Sequence, residues 1–324
     1  MRRQRGVALI TVLLVVAVVT VVCSGLIARQ QLAIRSSSNM LIQRQAWHYA
    51  QGGEALAKAL LLRDLRQGEA GPTVDHLGEP WAAPLKTFAL DEGGELRVRI
   101  EDLSGRFNLN SLVREGRLDR AAFERFQRLL RRLNIGAPYA GRLRDWLDFD
   151  EQVSVLNGAE DNDYLLLKPP YRAANRPLAD VSELRLLLGM REQDYRLLLP
   201  YVSALPPEAP LNVNTASVLV LSSLAEELSP DVALALAATR GARGFRTLDE
   251  FFAQLGPAAQ QVTARSLAVG SQFFQVISEV EMGTRRQVLV SLLQRGNDGR
   301  VRVLARDLGQ PGLSPIASEG RSDD

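Results

Sequence analysis

The chain has 324 residues, enough for one large domain or two to three smaller ones. A formal net charge of +2 gives the chain as a whole no field suited to nucleic acid. Cys23 is the only cysteine, which excludes an intramolecular disulfide, and His48 and His76 are the only histidines, which leaves a His-centred metal site or a Ser-His-Asp triad poorly supplied.

Met1 to Gly6 reads MRRQRG, and Val7 to Ala28 then runs without a charge. Roughly 22 residues at about 1.5 Å each span about 33 Å, enough for a bilayer core. Arg2, Arg3 and Arg5 predict a cytoplasmic N-terminus with the rest of the chain outside. Three readings compete. A cleaved secretory signal calls for a shorter apolar core and an A-x-A-like site. Lipidation at Cys23 is opposed by the bulk of Val22 before it. A prepilin-type leader is cut on the cytoplasmic side, after a Gly directly before the apolar run, and Gly6-Val7 fits that rule. The apolar segment then stays as an anchor. Arg29 to Arg63 lacks Pro and carries Met40, Trp47, Ala50, Ala57 and Leu61 on one expected helix face. The helix is therefore expected to continue to about residue 65, weakened at Gly52-Gly53.

Strand patterns are split in sequence. Glu95 to Glu101 alternates polar and apolar residues, the period of a half-buried strand. The next strands are expected at Phe274–Met282, Arg286–Leu293 and Arg300–Ala305, with turns at Gly283-Thr284 and Gly296-Asn297-Asp298-Gly299. Consecutive hairpins predict an antiparallel meander packed on the long helix. Between Asp102 and Phe273 the chain reads as helix and loop, and the tail from Gly309 as disordered. The topology this predicts is α+β: a type IV pilin-like fold, a long N-terminal helix on an antiparallel sheet, with a large all-α insertion.

The insertion reads as a duplication. Phe107-Asn108-Leu109-Asn110-Ser111 echoes Leu211-Asn212-Val213-Asn214-Thr215, and Asp180-Val181-Ser182-Glu183-Leu184 echoes Thr247-Leu248-Asp249-Glu250-Phe251. Ser182 and Thr247 are candidate helix caps. The expected division is a leader at 1–6, a transmembrane helix at 7–28 and its periplasmic continuation at 29–65. A first part of the pilin domain follows at 66–104, then helical modules at 105–206 and 209–272, pilin-domain strands at 273–308 and a tail at 309–324.

The first module carries an acidic stretch: Asp148, Asp150, Glu160, Asp161, Asn162 and Asp163 supply many oxygens beside Trp146 and Tyr164. Ca²⁺ takes six to eight such ligands and tolerates irregular geometry. A solvated acidic loop with helix caps accounts for the same residues. No Walker A, G-x-G-x-x-G or G-x-S-x-G segment occurs, and Asp148 with Asp150 is a weak pair for glycan hydrolysis. Leu211 to Ala216 resembles the opening of helix-hairpin-helix DNA-binding repeats. The following Leu224 to Asp231 is acidic and lacks the Gly of that hairpin, and Arg240, Arg243 and Arg246 are few. No nucleic-acid partner is expected.

Taken together, Gly6-Val7 with its apolar helix, Ser104 to Asn110, Asp145-Trp146-Leu147-Asp148, Gly158 to Asn162, Pro170 to Asn175 and Leu211 to Ala216 resemble minor pseudopilin K of bacterial type II secretion systems. The resemblance runs from the leader to about Leu308. It implies a pilin fold whose insertion consists of two SAM-like helical modules, and no enzymatic activity. It implies structural Ca²⁺ at Asp148, Asp150, Glu160 and Asp161, with Asn162 and Asp163 as second choices. It also implies prepilin-peptidase cleavage between Gly6 and Val7 with methylation of the Val7 amine, and a single-pass inner-membrane protein with a periplasmic head. The implied partners are minor pseudopilins I and J in a tip complex, pseudopilin H and the major pseudopilin G below, and the secretin or exported cargo. Most pilin-like subunits carry Glu at the fifth mature position, where it pairs in lipid with a neighbour's N-terminal ammonium; here that position is Thr11, a departure shared with minor pseudopilin K. A subunit without that Glu suits the first place in a fibre, initiating assembly. Two other readings stay open: a tip pilin of a type IV pilus or competence machine, and a membrane-anchored DNA-binding module.

Overall fold

A computed structural model describes residues 5–67, 73–83, 87–91, 93–154, 157–296 and 298–309. Met1 to Gln4 of the expected leader, and the expected tail beyond Gly309, lie outside them. Helix α1 (Arg5–Gln67) has 63 residues, roughly 95 Å at about 1.5 Å per residue. Its apolar first part is exposed, and it is the one helix among the described residues long and apolar enough to cross a membrane. The second part packs on the sheet through Ala46, Ala50, Ala57 and Leu61. Met40, expected on that face, is exposed because α1 has not yet reached the sheet there, and Trp47 is half-buried beside the seam.

Gly53, expected only to weaken α1, sits where the helix comes closest to the sheet. A Cβ there would stand 2.6 Å from Ser278 Oγ and 2.9 Å from Val98 Cγ2, whereas Gly52 faces open space. One residue on, the buried Glu54 carboxylate accepts from Arg306 Nε at 2.7 Å, Arg306 Nη2 at 2.8 Å and Ser291 Oγ at 2.7 Å. The Arg306 hydrogen bonds hold the Glu54 carboxyl below its ordinary range.

A short β1 (Phe88–Ala89) precedes β2 (Glu95–Asp102). The first helical module follows: β3 (Phe107–Asn108), β4 (Val113–Arg114), β5 (Arg117–Leu118), α2 (Arg120–Arg132), α3 (Tyr139–Leu147), α4 (Asp161–Tyr164), α5 (Glu192–Leu198) and β6 (Val202–Ser203). The second comprises β7 (Leu211–Asn212), α6 (Val218–Ser222), α7 (Pro230–Thr239), α8 (Leu248–Leu255) and β8 (Leu267–Ala268). Each module has its own apolar core, one around Phe126, Tyr139 and Trp146, the other around Val213, Leu221 and Phe251.

The expectation of only helix and loop here needs correction. β3 pairs in parallel with β6, and β7 with β8, so each module is tied end to end by a two-residue ladder. Two residues are too few to show a strand period in sequence. The expected caps also differ in part. Thr247 caps α8, its hydroxyl accepting from Glu250 N at 3.2 Å. In the first module Asp180, not Ser182, holds the corresponding place, accepting from Ser182 N at 2.8 Å, and it opens a 3-10 turn at Val181–Leu186. The carboxylate at the first position outcompetes the hydroxyl two residues on.

Strands β9 (Phe273–Met282), β10 (Arg285–Arg295) and β11 (Val301–Asp307) complete an antiparallel sheet of order β1-β2-β9-β10-β11. β2 pairs with β9 directly, Asp102 opposite Phe274. The insertion thus leaves and re-enters at adjacent strand ends and does not interrupt the ladder. A buried polar hub seals that junction. Asp102 accepts from the Thr215 and Ser271 hydroxyls and from Ser104 N. Arg295, 3% exposed, donates to Asp64 at 2.9 Å, to Asp75, and to Ser271 O at 2.9 Å. Helix, sheet and second module are thereby joined through charge-assisted hydrogen bonds.

Candidate metal centre

The acidic stretch of the first module lies between α3 and α4. Trp146 on α3 and Tyr164 on α4 meet edge to face, ring centroids 5.1 Å apart, with Tyr171 5.5 Å from Tyr164. This aromatic contact fixes the two helices and brings the carboxylates at their facing ends together. Asp148 follows the last turn of α3, and Glu160 precedes the first turn of α4. One oxygen each from Asp148, Asp150 and Glu160 lies within 4.8 Å of the other two.

Asp148 and Glu160 are buried, and Asp150 is exposed. Both Glu160 oxygens and Asp148 Oδ1 are buried without a hydrogen-bond partner, as is Oδ1 of Asp145, one turn back on α3. Burial, reinforced by Asp145, Asp148, Asp150 and Asp161, pushes the Glu160 carboxyl up to about 8. Burial and the charges of Asp150 and Asp145 push Asp148 up to about 6, against the pull of Arg144 at 3.9 Å. The segment is shaped for this proximity: a Cβ on Gly158 would fall 1.8 Å from Asp145 Oδ2, so a side chain there would displace the carboxylate.

Of the expected ligands, Asp148, Asp150 and Glu160 converge and Asp161 does not. The Asp161 carboxylate takes Arg172 at 3.1 Å and Ala173 N at 2.9 Å. Asn162 is exposed, and Asp163 accepts from Glu160 N at 3.1 Å, which makes it part of the turn. Asp145 was absent from the expected set, although its position three residues before Asp148 puts both on one helix face.

Uncompensated buried carboxylates are costly unless protonated or neutralised by a cation. Two oxygens each about 2.4 Å from one Ca²⁺ are at most about 4.8 Å apart, so the observed spacing fits a shared ion. The all-oxygen donor set suits Ca²⁺ and disfavours Zn²⁺. A second acidic group, Asp64, Asp75 and Glu79, is of another kind. Arg295 neutralises it, and Glu79 accepts from Trp81 Nε1 and His76 N.

Of the basic residues weighed for nucleic acid, Arg243 and Arg246 are exposed and Arg240 is not. Arg240 turns inward, and its Nη1 donates to the carbonyls of Val213, Asn214 and Ala216 at 3.1, 2.9 and 2.7 Å.

Residues 105–207 and 211–270 match two family models, both described as Type II secretion system (T2SS), protein K. The chain is 59% identical to the type II secretion system protein K of Pseudomonas aeruginosa, over 99% of this chain and 98% of the relative. It is 38% identical to that of Klebsiella pneumoniae, over 90% and 93%. Among solved structures it resembles a chain of the GspK-GspI-GspJ complex from the enterotoxigenic Escherichia coli type 2 secretion system. The TM-score is 0.74 at 31% identity, covering 85% of this chain and 99% of that one.

Proposed function

The chain belongs to the protein K family of type II secretion, whose members are minor pseudopilins, and from that membership we propose that it caps the tip of the pseudopilus and initiates its assembly. The fibre would then serve export of folded proteins from the periplasm across the outer membrane. The observation that carries this reading is the helical insertion between β2 and β9. A pilin-like subunit stacked above this head would have to displace two modules, each with its own core. Thr11 supports the same place in the fibre. Its hydroxyl bonds to Ala8 O at 2.9 Å within α1, so it brings no charge into lipid that needs a partner above.

The partners in this reading are minor pseudopilins I and J at the tip, pseudopilin H and the major pseudopilin G below, and the secretin or cargo beyond. Prepilin peptidase would cut between Gly6 and Val7 and methylate the new amine. Helix α1 would then stay in the inner membrane with the head in the periplasm. Ca²⁺ would be held by Asp148, Asp150 and Glu160, with Asp145 behind them. When bound it supplies the positive charge that the buried oxygens lack. The protein's own residues hold α3 and α4 together through Trp146 and Tyr164 and present that face of the head as a fixed surface.

The test is co-purification of the soluble head, from about Gln30 onward, with the soluble heads of pseudopilins I and J, with and without chelator. A three-way complex that weakens with chelator supports both the tip reading and the metal. Absence of any complex in calcium sinks the tip reading.

A further inference from the structure

A cavity of about 220 Å³ opens on the seam between the two helical modules, away from the acidic centre. One wall is β4 with the first turn of α2, and the other is the 3-10 turn Ala264–Ser266 of the second module. Its charged lining is Arg114, Arg125 and Arg265 against one carboxylate, Asp119.

That carboxylate is already engaged. Asp119 Oδ1 caps α2 by accepting from Ala122 N at 3.0 Å, and Oδ2 lies 3.4 Å from Arg114 Nε. Arg125 is 5% exposed. Its Nη1 crosses the seam to Ser266 Oγ at 2.6 Å, while its Nη2 is buried with no acceptor. Burial lowers this guanidinium to about 10, so it remains cationic at neutral pH. Arg265 stands exposed at the rim. A buried guanidinium with an unused N–H is costly unless an acceptor comes from outside the chain. The N-terminus of α2, a helix of 13 residues, adds positive potential on the same wall. The volume exceeds what one water needs.

We propose that this cavity binds a small oxyanion, a phosphate or a carboxylate, with Arg125 as its buried anchor and Arg265 at its mouth. Because Arg125 belongs to the first module and Ser266 and Arg265 to the second, a bound anion ties the two modules together.

The test is calorimetric titration of the full-length chain in non-ionic detergent with sodium phosphate and, separately, sodium acetate, at ionic strength held constant with sodium chloride. Saturable binding of one or both is expected, and the tighter binder tells phosphate from carboxylate. Arg265→Ala, at an exposed rim position that folding does not require, should weaken the apparent Kd about tenfold, equivalent to about 1.4 kcal/mol. Arg125→Met should abolish binding. Both variants keep the acidic centre, so any phosphate drawn to a cation there is common to all samples and cancels. No saturation by either anion, or equal affinity in wild type and Arg265→Ala, overturns the proposal.

Discussion

Asn110 and Asn214 make the same set of backbone hydrogen bonds, one in each helical module. Asn110 clasps Leu178 through both its N–H and its C=O, at 2.8 and 2.9 Å, and donates to Leu205 O at 2.9 Å. Asn214 clasps Phe245 in the same way at 2.7 and 2.9 Å and donates to Val269 O at 3.2 Å. Leu178 and Phe245 each stand two residues before the capping residue, Asp180 or Thr247. Replacing Asn110 with Ala strands three buried backbone groups, whereas replacing Asn214 strands two, because Val269 O keeps Asp75 N at 2.9 Å. The expected loss of head stability is about 3 kcal/mol or more for Asn110→Ala and about 2 kcal/mol or more for Asn214→Ala, since each unmade buried hydrogen bond costs about 1–3 kcal/mol. Urea unfolding of the head measures it; a loss under about 1 kcal/mol in both variants would contradict the equivalence.

The acidic centre carries a pH signature. Glu160 and Asp148 are raised in the folded chain, to about 8 and about 6, above ordinary unfolded carboxylates. The folded state therefore binds more protons than the unfolded one from the ordinary carboxylate range up to those values, and stability falls as pH rises through that window. With calcium removed, the melting temperature of the head should fall from about pH 4.5 to pH 8, the effect being on the order of a few kcal/mol. Saturating Ca²⁺ should flatten or reverse the slope, because the cation replaces the protons. Scanning calorimetry at several pH values, with chelator and with calcium, checks this. Identical slopes in both would count against a metal here.

Glu160→Gln removes one buried charge without changing shape. Without calcium it should stabilise the head above about pH 7, where the wild-type carboxylate is being forced to ionise. With calcium present it should lower the melting temperature relative to wild type. The sign change between the two conditions is the readout, and a variant less stable in both would point to a purely structural role.

Arg295 holds the helix, the sheet and the second module together through Asp64, Asp75 and Ser271. Arg295→Met leaves buried Asp75 without its cation and should cost about 3–5 kcal/mol. Adding Asp75→Asn should recover part of that loss, because the uncompensated charge goes with it. A double-mutant cycle in denaturant tests the coupling, and strict additivity would mean that the two do not act as a pair.

Adjacent glycines in α1 should respond in opposite directions. Gly52→Ala, in open space, should stabilise by up to about 1 kcal/mol through helix propensity. Gly53→Ala would press on Ser278 and Val98 and should destabilise by about 1–3 kcal/mol. Melting temperatures of the two heads decide it.

The features legible in the residue order rest on local patterns. The uncharged run from Val7 to Ala28 can satisfy its backbone only as a helix if it lies in lipid. The alternation of Glu95 to Glu101 and the hairpin turn at Gly283 follow from side-chain period and turn chemistry, and β2, β9 and β10 occupy those places. The Asn-x-Asn echo was legible because both modules solve one hydrogen-bonding problem with one side chain. Which of several neighbouring carboxylates converge is set by the three-dimensional fold. Asp161 and Glu160 are adjacent in sequence, yet one turns to Arg172 and the other is buried beside Asp148 and Asp150. It alone showed that Gly53 is a contact and Arg240 an internal staple, and that Arg125 faces a cavity between modules. In each case the meaning of the residue depends on a partner about ten to more than two hundred positions away, and no local period or spacing records which partner that will be.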